Sequence, residues 1–405
     1  ADAQLDERPF DHNPQPTPRA WPCPEDLQEV TDLLLASERP LLIGGHGVWW
    51  SGAERKLEQV GISLAIPVYN IPYHQKLLPE ASKAYMGLAD VHQYGPAKAA
   101  LEEADVAIMI GGRLDNQMNF GNAPLFPPSC KLICVNGSAE ETELNRAADK
   151  VLLSDPGAFL SALLDLKEKG RWQRGDDWIK AQRTRRGEWV VQTLAGMDND
   201  LTPGQGVHPL QLALDVQRAM GPKDWLVIDG GNTHFWSEIA INISGWRGQE
   251  LGGILHPGAF SMLGVGVSFA VAAKLTHPDV HAVVISGDGA FLSGGLSIEA
   301  AFQENAPITV VIDNNGGLTT ISQQQERLFG HDRHVATDFR DIPFHSMFEG
   351  LGGYGELVED PAEITPAVNR AMASGRTACV NVRSRGVISP IVAAVTSKRD
   401  KASIE

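Results

Sequence analysis

The sequence predicts two doubly wound α/β domains, each a parallel sheet with helices on both faces. Three observations lead there. At 405 residues the chain is too long for one ordinary hydrophobic core. Seven short runs are predominantly apolar, and those of the first half do not alternate, as expected of strands buried on both faces. Amphipathic helical stretches separate these runs, and the βα rhythm stops once and restarts.

Residues 1–22 read as a linker, because Pro9, Pro14, Pro16, Pro18 and Pro22 disfavour regular structure. An α/β domain follows over 23–165. Its strands are Pro40–Gly44, Val106–Ile110 and Lys131–Val135, and Ser51 is expected to cap a helix ending near Gly61. The stretch 166–205, rich in Lys, Arg, Trp and Asp, reads as helices or a linker packed over the join. A second domain spans 206–390, with strands at Trp225–Asp229, Ala282–Ser286, Ile308–Ile312 and Ala378–Val382. Helices are expected near 263–276, 293–304 and 361–374. The tail, 391–405, carries no strong pattern.

Composition narrows the function. A formal charge of −16 disfavours a nucleic-acid surface, since phosphates would be repelled. No apolar run reaches the ~18 residues that span a bilayer, and the polar, proline-rich start lacks the apolar core of a secretory signal. The four cysteines show no zinc-site spacing and read as reduced thiols of a cytoplasmic protein.

Chemistry concentrates at two strand ends. The strand 282–286 runs into Gly287-Asp288-Gly289-Ala290, where a helix start offers backbone amides to phosphate oxygens. Asp288 would repel phosphate unless a cation lay between them. The strand 308–312 ends in Asp313-Asn314-Asn315-Gly316-Gly317. Neighbouring strands would set these ends about 5 Å apart. A carboxylate, an amide oxygen, a backbone carbonyl and phosphate oxygens then suit a hard divalent ion.

With Asn315 27 positions after Asp288, the segment Gly287–Gly317 resembles the diphosphate–magnesium motif of thiamine diphosphate enzymes. The resemblance implies Mg2+ held by Asp288, Asn315 and the Gly317 carbonyl. It also implies cofactor contacts at Gly287, Gly289 and Ala290. Asp229-Gly230-Gly231-Asn232-Thr233 resembles the loop of the acetolactate synthase group that grips the far end of the diphosphate, placing Gly231, Asn232 and Thr233 there. Gly258–Gly266 resembles the segment over the aminopyrimidine ring, with Ser261, Met262 and Leu263 at the cofactor and Leu263 as the wedge that bends it. The other reading of Met262 and Leu263 is ordinary core. His234 and His256, expected in flanking loops, are candidate proton carriers. Gln323, Gln324 and Gln325 either line a substrate entrance or form a solvated face.

Ile43–Gly47 and Ile110–Asp115 resemble the two glycine-rich strand ends of the family's middle domain. Arg113-Leu114-Asp115 and Asn314-Asn315-Gly316-Gly317 lean towards the 2-hydroxyacyl-CoA lyase and oxalyl-CoA decarboxylase branch. Asn136 stands where relatives commonly carry an acidic residue, which argues against ribose binding. The family's pyrimidine-binding domain, which carries the glutamate that activates the cofactor, has no counterpart in these residues. The resemblance therefore implies a heteromeric lyase, decarboxylase or carboligase whose pyrimidine-binding domain sits on a partner subunit, as a dimer of heterodimers. A 2-hydroxyacyl-CoA is the first substrate class and a 2-oxoacid the second. A processed fragment of a three-domain enzyme, or a non-catalytic regulatory subunit, stays open.

Overall fold

The computed structural model describes residues 18–71, 76–90, 92, 94–142, 144–168, 172, 174–200, 206–331 and 333–393. Most of the expected linker and tail, and residues 201–205 of the connecting stretch, lie outside them.

Twelve strands form two six-stranded sheets, and every pairing within them is parallel. The first contains β1 (Pro40–Gly44), β2 (Val68–Asn70), β3 (Tyr85–Leu88), β4 (Val106–Ile110), β5 (Lys131–Asn136) and β6 (Lys150–Leu153), in the order β3-β2-β1-β4-β5-β6. The second contains β7 (Trp225–Asp229), β8 (Gly253–Leu255), β9 (Ala282–Gly287), β10 (Thr309–Asn314), β11 (Tyr354–Val358) and β12 (Ala378–Arg383), in the order β11-β12-β10-β9-β7-β8. The seven expected runs are β1, β4, β5, β7, β9, β10 and β12. Their residues are almost wholly buried, as apolar strands sandwiched between helix layers must be.

Helix expectations fare less evenly. Ser51 does not open a helix. It closes the short helix His46–Trp50, and its hydroxyl bonds the Asp155 carboxylate and accepts from the Gly157 amide. The following helix, Glu54–Ser63, starts at Ala53 without a side-chain cap.

The charged stretch before the second sheet contains a 24-residue helix, Asp177–Asp200. Ile179 joins the first core, whereas Val190 and Met197 join the second. Between them Arg186 is buried at the join. Its guanidinium pairs with buried Glu80 at 2.9 Å and donates to the carbonyls of Tyr85 (3.3 Å) and Asn242 (3.1 Å). Asn242 accepts in turn from the Leu88 amide at 2.9 Å. One charged residue thus ties both sheets to the connecting helix.

Candidate cofactor site at the strand ends of the second sheet

In the second sheet the chain runs from β7 outward to β8, then returns to β9 on the other side of β7. Ligands of open α/β sheets bind beyond the carboxyl ends at such a reversal. The ends of β7, β9 and β10 meet there, because Asp229 pairs with Ser286 and Gly287 with Asp313 in the ladder. The neighbouring strands that the Asp288–Asn315 reading requires are therefore present.

Asp288 opens the helix Asp288–Gly294 and is 2% exposed. One carboxylate oxygen accepts from its neighbour's amide, Gly289 N, at 2.6 Å. The other accepts from Gly316 N (2.8 Å) and Gly317 N (3.0 Å). The β9 turn is thereby tied to the β10 turn. Gly316 lies at φ +82° with open space where a side chain would project, a backbone that favours glycine. Burial, and then the charge of nearby Asp313, push the Asp288 carboxyl up to about 7 from 3.8. Asp313 is itself fully buried, accepts from Thr233 Oγ1 at 2.6 Å and from Ser384 Oγ, and is raised by burial. Two close carboxylates compensated by neutral donors form a site that favours a cation.

The donor set fits a hard divalent ion. The Asn315 side-chain oxygen accepts from Thr319 Oγ1 (3.0 Å), and the Gly317 carbonyl from Thr319 N (3.0 Å). Each of these oxygens keeps a second lone pair. Among the described residues no three His, Cys, Asp or Glu side chains group as a metal site. A set with one carboxylate and two neutral oxygens needs further oxygens, and diphosphate would supply them.

Asp229 organises the neighbouring segment. Its oxygens accept from Gly264 N and Gly266 N, both at 3.0 Å, and pin Gly258–Gly266 to the end of β7. Gly264 lies against Gly294; a Cβ on Gly294 would stand 2.1 Å from the Gly264 carbonyl oxygen. Ser261 is left-handed at φ +49°. Met262 (60% exposed) and Leu263 (44%) project outward, so the core reading of both is wrong.

Asn232 and Thr233 are the first residues of the helix Asn232–Trp246, and not part of a loop. Asn232 bonds the Val387 carbonyl (2.6 Å) and the Ser389 amide (2.9 Å), while Thr233 serves Asp313. What these positions offer a ligand is backbone amide, beside Gly231, whose side-chain space is open. His234 is likewise helical and buried, not in a loop, and its Nε2 lies 3.2 Å from Glu238 Oε1. His256 follows β8, and its Nδ1 accepts from Gly258 N at 3.2 Å. The two imidazoles meet edge to face with centroids 5.7 Å apart. Gln323 donates to the Gly386 carbonyl, and Gln325 exchanges two hydrogen bonds with the Val335 backbone.

In the first sheet the glycine-rich turns face each other. Gly45 N and Gly47 N donate to the carbonyls of Ile110 and Gly111, and Asn136 Nδ2 reaches the Gly112 carbonyl at 3.4 Å.

Comparison with known proteins matches this architecture. The family model "Thiamine pyrophosphate enzyme, central domain" covers residues 27–163, and "Thiamine pyrophosphate enzyme, C-terminal TPP binding domain" covers 229–382. This chain belongs to the thiamine pyrophosphate enzyme family. Among curated relatives, a probable acetolactate synthase of Mycobacterium bovis is 31% identical over 365 residues, 89% of this chain and 62% of that protein. A 2-hydroxyacyl-CoA lyase of Arabidopsis thaliana is 26% identical over 386 residues, 92% of this chain and 64% of that one. The chain thus spans under two thirds of the length of either relative. A solved thiamine diphosphate-dependent 4-hydroxybenzoylformate decarboxylase of Rhodococcus jostii RHA1 shares the fold, with a TM-score of 0.71 at 19% identity. It covers 92% of this chain and 67% of that structure. The C-terminal match makes thiamine diphosphate the cofactor of the family site, and residues 229–382 contain both turns described above.

Proposed function

We propose that this chain carries the diphosphate half of the active site in a thiamine diphosphate-dependent carbon–carbon lyase or carboligase. The carrying observation is the joint turn, in which Asp288 fastens the β9 end to the Gly316 and Gly317 amides. On this reading Asp288, Asn315 and the Gly317 carbonyl hold Mg2+. The amides of Gly289, Ala290 and the Gly231–Thr233 helix start receive the diphosphate. When bound, thiamine diphosphate supplies the electron sink for breaking and forming carbon–carbon bonds. The chain's own residues position and enclose it: Leu263 and Met262 press on the ring side, and His234 and His256 hold protons at the edge of the site.

A pyrimidine-binding domain completes the site, and we place it on a partner chain in a dimer of heterodimers. Support comes from the apolar surface beside the cofactor segment, where Phe260 is 94% exposed, Leu296 81%, and Met262, Leu263 and Leu292 about half. Such a patch is what another domain covers. If this chain is a piece of a longer polypeptide, the same face receives that polypeptide's own domain.

For the substrate, a 2-hydroxyacyl-CoA ranks first, on Arg113-Leu114-Asp115 and the Asn-Asn-Gly-Gly turn. A 2-oxoacid ranks second, on the 31% identity to a probable acetolactate synthase. Turnover of 2-hydroxyacyl-CoA esters and of plain 2-oxoacids, with the pyrimidine-binding domain supplied, separates the two. Activity confined to 2-oxoacids removes the lyase reading. If Asp288→Ala leaves the assembled activity unchanged, this chain is a regulatory subunit.

A further inference from the structure

Asp313 reads in the sequence as part of a turn, yet β10 runs on through it. In the ladder it lies between Gly287 of β9 and Val382 of β12, and it is fully buried. A buried carboxylate costs free energy unless partners hold it. No basic side chain pairs with this one among the described residues. Two hydroxyls hold it instead: Thr233 Oγ1 donates to Oδ2 at 2.6 Å, and Ser384 Oγ donates to Oδ1.

Each hydroxyl belongs to a different segment around the site. Thr233 is the second residue of the helix Asn232–Trp246, beside Gly231. Ser384 directly follows β12 and opens a strap, residues 384–389, that crosses to both cofactor turns. On one side, the Gly386 carbonyl accepts from Gln323 Nε2 at 3.2 Å. A Cβ on Gly386 would stand 2.9 Å from Thr319 Oγ1. Thr319 is the residue that donates to the Asn315 amide oxygen and to the Gly317 carbonyl. On the other side, the Val387 carbonyl accepts from Asn232 Nδ2 (2.6 Å) and Trp236 Nε1 (2.9 Å), and Ser389 N donates to Asn232 Oδ1 (2.9 Å). The β10 turn, the Gly231–Thr233 helix start and the strap converge on Asp313.

We infer that Asp313 is a positioning residue: by holding Thr233 and Ser384 at once, it sets the spacing between the Gly231–Thr233 helix start and the β10 turn, so that one diphosphate reaches both. This rests on the cofactor reading above and adds to it a residue that reading leaves unused. Asp313 acts through the two hydroxyls and is not placed against the ion or the cofactor.

Two substitutions separate spacing from charge. Asp313→Asn removes the charge but keeps polar partners for two hydroxyls that can rotate. Asp313→Leu removes both hydrogen bonds at similar volume. The full chain is read by hydrogen exchange over residues 230–236 and 384–390, and by calorimetry with thiamine diphosphate and Mg2+. Asp313→Leu should speed exchange in both segments and weaken cofactor binding, each at least tenfold. Asp313→Asn should change either by less than threefold. Because one residue joins both hydroxyls, Thr233→Val combined with Ser384→Ala should lose no more affinity than twice the worse single variant. Equal losses in Asp313→Asn and Asp313→Leu would mean that charge alone matters and overturn the inference. So would unchanged exchange in Asp313→Leu, or, should that variant not fold, losses from Thr233→Val and Ser384→Ala that simply multiply. A chain that binds no thiamine diphosphate refutes the cofactor reading instead, and exchange in the free chain still decides the role of Asp313.

Discussion

Asp288 is buried at the expense of its own charge. Its carboxyl is raised to about 7 because burial and Asp313 penalise the charge. Below about pH 4 both folded and unfolded chains hold this proton. Between about 4 and 7 only the folded chain keeps it, so stability falls as pH rises; above 7 the penalty is constant. In metal-free buffer, Asp288→Asn should therefore melt higher than the unsubstituted chain at pH 8 and equally at pH 4. Equal melting at both pH values would contradict the assignment. With thiamine diphosphate and Mg2+ present the order should invert, because only the carboxylate favours the ion.

The Asp288–Asn315 spacing was readable in the sequence because both residues end apolar strands, and the ladder then sets them side by side. The burial of Asp313 next to them was not readable, since Asp-Asn-Asn reads equally well as a turn. Glu238 was missed for a related reason. A glutamate on a helix is ordinarily solvated, and only the burial of the whole helix Asn232–Trp246 encloses this one.

At the scale of elements, the central strands were legible and the edges were not. β1 and β4 are apolar over their whole length, and β9 and β10 over their middle residues Val283–Ile285 and Val310–Ile312. β2, β3, β6, β8 and β11 are three to five residues long, and at the sheet edges β6 and β11 are part-exposed. Short edge strands carry too few apolar residues to stand out. The helix Asp177–Asp200 escaped definition because it is polar on much of its circumference, as suits a helix bridging two cores. Its Arg186 makes a direct prediction. Arg186→Met takes from buried Glu80 its nearer ion partner and leaves it only Lys76 at 3.8 Å, and should cost about 3 kcal/mol in denaturant unfolding. A loss below 1 kcal/mol would show that the join does not depend on this pair. Gly294 tests the other element contact. Gly294→Ala should push Gly258–Gly266 outward and weaken thiamine diphosphate binding at least tenfold in calorimetry. An unchanged affinity would mean that this segment does not touch the cofactor.

At the scale of the molecule, the second sheet offers three strand ends at one reversal point, with an apolar patch beside it. If a pyrimidine-binding domain covers that patch, Phe260→Asp with Leu296→Lys should weaken its association at least tenfold while leaving the melting temperature of the chain alone within about 2 °C. Undiminished association would place the covering domain elsewhere. No helix among the described residues is long and apolar enough to cross a membrane.

Everything at these three scales converges on one ion shared by the β9 and β10 turns. Crystals grown with thiamine diphosphate and Mn2+ in place of Mg2+ test it most directly, because the ion is then located by its anomalous signal. The expected result is a single peak within about 2.3 Å of an Asp288 carboxylate oxygen, the Asn315 amide oxygen and the Gly317 carbonyl, bridged to the diphosphate. Diphosphate bound away from these turns, or bound there with no ion between Asp288 and Asn315, would contradict the account.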